Sequence, residues 1–257
     1  MSLIVITGSA SGIGAATAQR FRDAGHQVLG VDLRNADICA DLSTAAGRAD
    51  AVAAILDKSA GVVDALVLCA GLASHVVPAM KIVTVNYFGA VALLDGLLPA
   101  LRKGQSPAAV VVSSVASTQL PWDRNPLGEA LEAGDEARVQ ATLDAAGERA
   151  GHLAYAGSKN AITVAVRRRV GAWGQAGVRL NTVAPGAVET PLLQAGLADA
   201  RYGKAIEAFV APIARRSRPE EIAAMIAFLI GPEAQYVHGA QFVVDGGIDA
   251  ASRPTQF

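Results

Sequence analysis

Short apolar runs rich in β-branched residues recur along the chain at Leu3–Ile6, Val28–Val31, Ala65–Leu68, Val110–Ser113, Arg179–Val183 and Phe242–Val244, with a weaker one near Ile38. Nearly continuous apolar runs of this length predict strands covered on both faces, because a strand with one wet face alternates instead. Longer helical stretches lie between them. Ile13 to Ala24 stops at Gly25, Ala45 to Leu56 is alanine-rich, and Glu220 to Ile230 follows Pro219 and stops at Gly231. Alternating strands and helices predict an α/β fold, a single doubly wound domain with a seven-stranded parallel sheet and helices on both faces. With no internal repeat, low-complexity tract or interdomain linker, residues 1–257 read as one domain.

Composition agrees with that picture. The 257 residues are 52% hydrophobic and 18% charged, enough apolar material to cover a sheet twice. A net charge of -1 gives the surface no pull toward nucleic acid or anionic membrane. The first strand starts at Leu3 without a basic leader, and no apolar run near ~18 residues is evident, so no signal peptide or membrane span is expected. Cys39 and Cys69 have no metal-ligand spacing and make no disulfide framework, which points to a reducing, cytoplasmic setting. His26, His75, His152 and His238 are scattered, so no metal is expected. Arg167-Arg168-Arg169 reads as a solvated helical end, and Trp122 and Trp173 as packing residues.

Two motifs carry candidate chemistry. The turn Thr7-Gly-Ser-Ala-Ser-Gly-Ile-Gly14 follows the first strand and opens a helix. Glycines at 8, 12 and 14 permit a tight turn and let backbone amides approach a pyrophosphate at the positive end of that helix, although a turn that binds nothing has the same shape. Asp32 closes the second strand. Its carboxylate suits the two ribose hydroxyls of NAD and would repel the 2′-phosphate of NADP; Arg34 leaves dual use open, and Asp32 ending a strand at the surface is the plainer alternative. Downstream, Tyr155-Ala-Gly-Ser-Lys159 places a phenol and an ammonium at i and i+4 on one helix face. A free tyrosine titrates near pH ~10, and bringing it to ~7 takes roughly 4 kcal/mol. One positive charge at ~4 Å and an effective dielectric of ~20 is worth about that much.

Thr7-Gly-Xaa3-Gly-Ile-Gly14, Asp41-Leu42, Ala70-Gly71, Asn86, Ser113-Ser114, Tyr155-Xaa3-Lys159, Asn181, Pro185-Gly186 and Val244-Asp245-Gly246-Gly247 resemble, in order and over nearly the whole chain, the short-chain dehydrogenase/reductase family. The resemblance implies a Rossmann fold and a combined dinucleotide-binding and catalytic domain. More narrowly, Leu68-Cys69-Ala70-Gly71, Val85-Asn86-Tyr87-Phe88-Gly89-Ala90, the segment Leu153–Ala161 and the tail Arg253-Pro254-Thr255-Gln256-Phe257 resemble the bacterial hydroxysteroid dehydrogenase and carbonyl reductase members. That closer likeness implies 3α-hydroxysteroids and 3-oxosteroids as substrates, with carbonyl reductase activity.

For mechanism the family implies Tyr155 as general acid in reduction and general base in oxidation, with Lys159 lowering its pKa. Ser114 would hold the substrate oxygen, with Ser113 the competing choice, and Asn86 would bend its helix and hold a water on a relay from Lys159, unless it is an ordinary helix-start cap. Catalytic candidates are therefore Ser114, Tyr155, Lys159 and Asn86, and substrate contacts Ser114 and Tyr155. Cofactor contacts would be Gly8, Ser11, Gly12, Ile13, Gly14, Asp32, Asp41, Leu42, Ala70, Gly71, Val188 and Thr190, together with Tyr155 and Lys159. NAD is the implied cofactor. Family members usually carry Asn-Asn where this chain has Leu68-Cys69, which puts the local hydrogen bonds there in question.

A second departure is larger. The interval from Ser114 to Tyr155 is far longer than the family needs, and residues 119–151 read as an inserted helical pair, with Asn125-Pro126 as a start, Gly134 a stop, Asp135 a second cap, and Val139 and Leu143 on one face. Because the Tyr155 helix commonly pairs with its counterpart in family oligomers, the insertion predicts a homodimer instead of the usual tetramer. Residues 190–213 carry Leu192, Leu193, Leu197, Ala198, Ile206, Phe209, Val210 and Ile213, an apolar lid for a bulky hydrophobic, steroid-like substrate, with Gly196 and Gly203 as hinges; a packed helix pair is the alternative. Two other functions stay open: the same chemistry on 3-oxoacyl thioesters, served by Arg215, Arg216 and Arg218, or a non-catalytic NAD(P)-binding sensor. No nucleic-acid or membrane partner is expected.

Overall fold

The computed structural model describes residues 1–256; Phe257, the end of the tail quoted above, lies outside the described residues. Seven strands, β1 (Leu3–Thr7), β2 (Gln27–Asp32), β3 (Ile38–Cys39), β4 (Ala65–Leu68), β5 (Ala108–Val112), β6 (Arg179–Pro185) and β7 (Gln241–Val244), form one sheet in the order β3-β2-β1-β4-β5-β6-β7. All its pairings are parallel. The chain winds outward from β1 in one direction and from β4 in the other, so the carboxyl ends of these two neighbours frame the crevice where open α/β sheets take ligands.

Side-chain alternation along the central strands explains the unbroken apolar runs. Val5, Leu66, Leu68, Val111 and Leu180 face a core completed by α2 (Ala45–Lys58), α4 (Ala90–Leu101) and α7 (Ala150–Gln175). Ile4, Ile6, Val67, Val110, Val112 and Val183 face the other side, against Ala18 and Phe21 of α1 (Gly12–Asp23) and Ile222, Ile226 and Leu229 of α10 (Pro219–Ile230). Both faces are dry, so no polar position interrupts β4 or β5.

Three expectations are corrected here. First, α3 (Ala79–Val83), a π-helical turn over Thr84–Gly89, and α4 make one run, Ala79–Leu101, that is long and apolar enough to cross a membrane. It is a core helix, with Leu93, Leu94 and Leu97 fully buried in the domain. Second, Arg167–Arg169 lie inside α7, not at its end. Arg169 makes a bidentate pair with Asp95 at 2.8 and 2.7 Å, and Arg168 pairs with Glu132 over the Trp122 ring. Third, the inserted pair begins later than Asn125-Pro126: its helices are α5 (Gly128–Glu132) and α6 (Glu136–Ala146). The punctuation otherwise holds. Gly134 takes φ +69°, Asp135 accepts from the Arg138 amide at 2.9 Å, and Val139 and Leu143 are buried.

Candidate functional site

The glycine turn is built by contacts that admit no side chain. Gly8, at φ +67°, would place a Cβ 2.8 Å from the Ala70 amide nitrogen, and a Cβ on Gly14 would stand 2.0 Å from the Gly8 carbonyl oxygen. The Thr7 hydroxyl accepts from the Ala70 amide at 3.1 Å and ties the ends of β1 and β4 together. Ser11 leads α1 in an extended conformation with no side-chain cap bond, and Ile13 packs partly into the second core. The leading amides of α1 are thus directed outward, the arrangement that receives phosphate. Asp32 sits against this turn, its two oxygens accepting from the amides of Ala10 at 3.0 Å and Leu33 at 2.7 Å. A glycine cradle, free leading amides and a carboxylate beside them fit the dinucleotide.

Asp41 and Leu42 are engaged locally. The Ser43 hydroxyl and amide donate to Asp41 and hold its carboxyl below the usual range, while the Leu42 side chain is buried under Gly89. Past the end of β4 the structure brings Gly71, Asn86 and Lys159 together. A Cβ on Gly71 would lie 3.3 Å from Asn86 Oδ1 and 3.4 Å from Lys159 Nζ. Asn86 occupies the π-helical turn, so it is no helix-start cap; its amide accepts from the Leu72 amide at 2.7 Å and donates to the Leu72 carbonyl at 2.9 Å. A π-turn interrupts the regular ladder and bends the run where the asparagine must leave it.

The structure places the two serines differently. Ser113 is spent on α7, donating to the Lys159 carbonyl at 3.0 Å beside the Thr163 hydroxyl at 2.7 Å. Ser114 accepts from the Ala116 amide at 3.2 Å and is the serine near enough to the Tyr155 phenol to favour its ionised form. The expected electrostatics need revision, however. Burial pushes Tyr155 above the ordinary phenol range, and Ser114, not Lys159, is the group that opposes the shift. Lys159 directs its ammonium into the Val112 carbonyl at 2.8 Å, and its own burial lowers it to about 8. Charge at i+4 on the same helix acts on its neighbour only when the chain turns it that way. Cys69, in the unusual Leu68-Cys69 pair, lies beside Lys159 and Thr17; burial pushes its thiol up to about 12 and keeps it neutral.

Beyond β6, Val188 is buried in an isolated bridge with Ser217, and the Thr190 hydroxyl caps α8 (Pro191–Ala198) by accepting from the Leu193 amide at 3.2 Å. None of the eight apolar lid residues is buried, so the two helices of this segment do not put an apolar face into the core. Gly196 and Gly203 are not hinges. They are buried where α8 meets α9 (Gly203–Ala208): a Cβ on Gly196 would lie 2.9 Å from Ile206, and one on Gly203 2.3 Å from the Leu197 carbonyl. A cavity of about 280 Å³ lies between the outer lid residues Phe209, Val210 and Ile213 and the turn from β7 to α11 (Ile248–Ser252).

A family profile described as short chain dehydrogenase matches residues 2–126, and one described as Enoyl-(Acyl carrier protein) reductase matches residues 137–249. The 3-alpha-hydroxysteroid dehydrogenase/carbonyl reductase of Comamonas testosteroni is 62% identical over 257 residues, covering 100% of both chains. The chain belongs to the short-chain dehydrogenase/reductase family. Among its other members, the cis-4-hydroxycyclohexanecarboxylate dehydrogenase of Sinomonas cyclohexanicum is 32% identical over 96% of both chains. The crystal structure of the 3-alpha-hydroxysteroid dehydrogenase from Pseudomonas sp. B-0831 complexed with NADH superposes with a TM-score of 0.96, at 55% identity and 100% coverage of both chains. Against the short-chain dehydrogenase/reductase pattern, α5 falls between the two matched segments, although the two hydroxysteroid relatives align with the chain over its full length.

One pairing escaped the sequence reading. Asn125 and Asn160 are 7% and 6% exposed and hydrogen-bond each other between the insertion and α7. Their sequence signal was Gly157, a glycine inside a helix, which marks a close approach.

Proposed function

We propose that this protein is an NAD(H)-dependent oxidoreductase that interconverts hydrophobic secondary alcohols and ketones, with 3α-hydroxysteroids and 3-oxosteroids as its substrate pair and carbonyl reduction as its reverse activity. The observation that carries this reading is the nearness of the Ser114 and Tyr155 hydroxyls, beside buried Lys159, at the carboxyl ends of the strands next to the glycine cradle. Two relatives named for 3-alpha-hydroxysteroid oxidoreduction, one of them bound to NADH, favour the substrate and the cofactor.

In this proposal Gly8, Ser11, Gly12, Ile13 and Gly14 seat the pyrophosphate, Asp32 takes the adenosine ribose, Asp41 and Leu42 flank adenine, and Ala70 and Gly71 line the passage to the nicotinamide. Val188 and Thr190 bound the nicotinamide pocket. NAD, when bound, supplies the hydride acceptor for oxidation and, reduced, the donor for reduction. Tyr155 gives its phenolic proton to the ketone oxygen or takes one from the alcohol. Ser114 donates to the same oxygen as charge develops there. Lys159 and Asn86 supply protons from the solvent side. Residues 190–213 form the lid, and its half-exposed apolar side chains provide the surface that a steroid would bury. Thioesters are less well served: Arg215 is paired with Glu221 at 2.6 Å and Arg216 with Glu189 at 3.4 Å, which leaves Arg218 alone of the three without a salt bridge among the described residues.

NAD reduction is expected with androsterone-like alcohols at a kcat/KM at least ~100-fold above that of short secondary alcohols, because each buried methylene is worth about 0.8 kcal/mol. Steady-state kinetics over steroids, short alcohols and acyl thioesters checks this; faster turnover of the thioester or the short alcohol would reject the steroid assignment.

The same proposal makes residues 1–257 one cytoplasmic catalytic domain that assembles as a homodimer. Both cysteines are free, in keeping with a reducing setting. Helices α5 and α6 pack along α7, the helix that commonly pairs with its counterpart in family oligomers. Edge strand β7 and α10 meanwhile expose Val243 and Phe228. Light scattering is expected to give the dimer mass, and a tetramer with paired α7 helices would refute it.

A further inference from the structure

We propose that Asn160, braced by Asn125 of the insertion, is a positioning residue that holds the turn carrying Ser114 against the helix carrying Tyr155 and Lys159. Ser114 enters a short 3-10 turn, Val115–Ser117, that has little regular hydrogen bonding of its own. The Asn160 side-chain amide donates to the carbonyls of Ser117 at 3.1 Å and Leu120 at 2.7 Å, pinning the far end of this turn to α7. The Ser117 hydroxyl in turn donates to the Ser114 carbonyl at 2.6 Å. Two hydrogen bonds therefore connect Asn160 to the residue beside the phenol.

Asn160 is itself oriented from the insertion. The Asn125 side-chain amide donates to Asn160 Oδ1 at 3.1 Å and to the Gly157 carbonyl at 3.0 Å, while Asn125 Oδ1 accepts from the Leu127 amide at 3.1 Å. With its oxygen thus engaged, Asn160 can present only its NH2 group to the turn. Gly157 makes room for this: a Cβ there would stand 2.9 Å from Leu127 Cδ1 and 3.1 Å from Asn125 Oδ1. A glycine weakens a helix relative to alanine, so the glycine inside Tyr155-Ala-Gly-Ser-Lys159 is explained by the insertion that presses on it. The polar side chains of the network, Asn125, Asn160, Ser114 and Ser117, are buried and satisfied, the condition under which polar groups specify one geometry.

This inference rests on the oxidoreductase reading but not on the choice of substrate. Asn160→Ala is expected to lower kcat roughly tenfold to a hundredfold with the Kd for NADH unchanged, since a small misplacement of a donor costs rate and not coenzyme affinity. If Asn160 acts through Ser114, Asn160→Ala added to Ser114→Ala lowers kcat no further; multiplied losses would overturn the proposal, because a general structural role predicts them. Amide hydrogen exchange supplies a readout independent of turnover. Protection across Ser114–Leu120 is expected to fall in Asn160→Ala while that of α6 stays, and unchanged protection of the turn would equally overturn it. Asn160→Ser, which keeps one donor, gives an intermediate loss and carries both tests if the alanine variant does not fold. Val139→Ala, in α6, serves as the control that lowers Tm without changing kcat. A wild-type chain that fails to reduce NAD with any alcohol defeats the proposed function, and the exchange measurement still judges Asn160.

Discussion

Tyr155→Phe is expected to reduce kcat by about 10³-fold or more in both directions while NADH binds as before. The substitution keeps the aromatic ring, which packs against the larger core, and deletes only the oxygen near Ser114. General acid–base transfer contributes roughly 10²–10⁴-fold, so losing the donor removes most of the chemistry and little of the fold. The pH dependence follows from the direction of the shifts. Burial holds the Tyr155 phenol above its ordinary range, so it is protonated throughout the neutral region, ready for carbonyl reduction. Alcohol oxidation needs the deprotonated form, and its kcat/KM is expected to climb close to tenfold per pH unit below that pKa while reduction stays flat. Lys159 titrates near 8 because burial disfavours its charge, and above that pH a neutral amine is left facing the Val112 carbonyl. Initial rates in both directions across neutral and alkaline pH, on wild type and Tyr155→Phe, check these outcomes. Wild-type turnover in the phenylalanine variant would remove Tyr155 from the reaction.

The sheet was legible because both of its faces are covered: runs such as Ala65–Leu68 and Val110–Val112 stand out only when neither side must be polar. The glycine turn was legible because backbone contact leaves glycine no alternative at positions 8 and 14. What failed depended on orientation. The spacing of Tyr155 and Lys159 places both on one face of α7, but which group the ammonium meets is settled by the strand packed beside it, and that strand offers the Val112 carbonyl. Gly196 and Gly203 were misread for a similar reason, since a glycine that admits a neighbouring helix and a glycine that flexes look alike in one dimension. Asn125 and Asn160, far apart in sequence, meet only because the insertion folds back onto α7. The helix Ala79–Leu101 looked less continuous than it is, its apolar residues being interrupted by Lys81, Asn86 and Asp95; the fold places Asn86 in the π-helical turn and pairs Asp95 with Arg169.

Gly14→Ala is expected to be the most damaging single methyl in the chain, abolishing measurable NADH binding and costing on the order of 3 kcal/mol of stability. The added Cβ would lie 2.0 Å from the Gly8 oxygen, 2.6 Å from the Gly8 carbonyl carbon and 3.2 Å from the Ser9 nitrogen, all backbone atoms of a turn already locked to Ala70 through Thr7. A flexible side chain could step aside, but this backbone cannot. Either α1 retreats from the turn, spreading the amides meant for phosphate and disturbing the packing of Ala18 and Phe21 on α10, or the turn itself unwinds. Gly25→Ala separates this clash from simple glycine strain. Gly25 has φ +80° and nothing within 4 Å of an added Cβ, so its replacement should cost only about 1 kcal/mol and leave NADH affinity intact. Denaturant midpoints with NADH fluorescence titrations on both variants give the comparison. A Gly14→Ala chain that binds NADH like wild type would show that the dinucleotide lies somewhere other than this turn, and the roles proposed for Asp32, Gly71 and Val188 would fall with it.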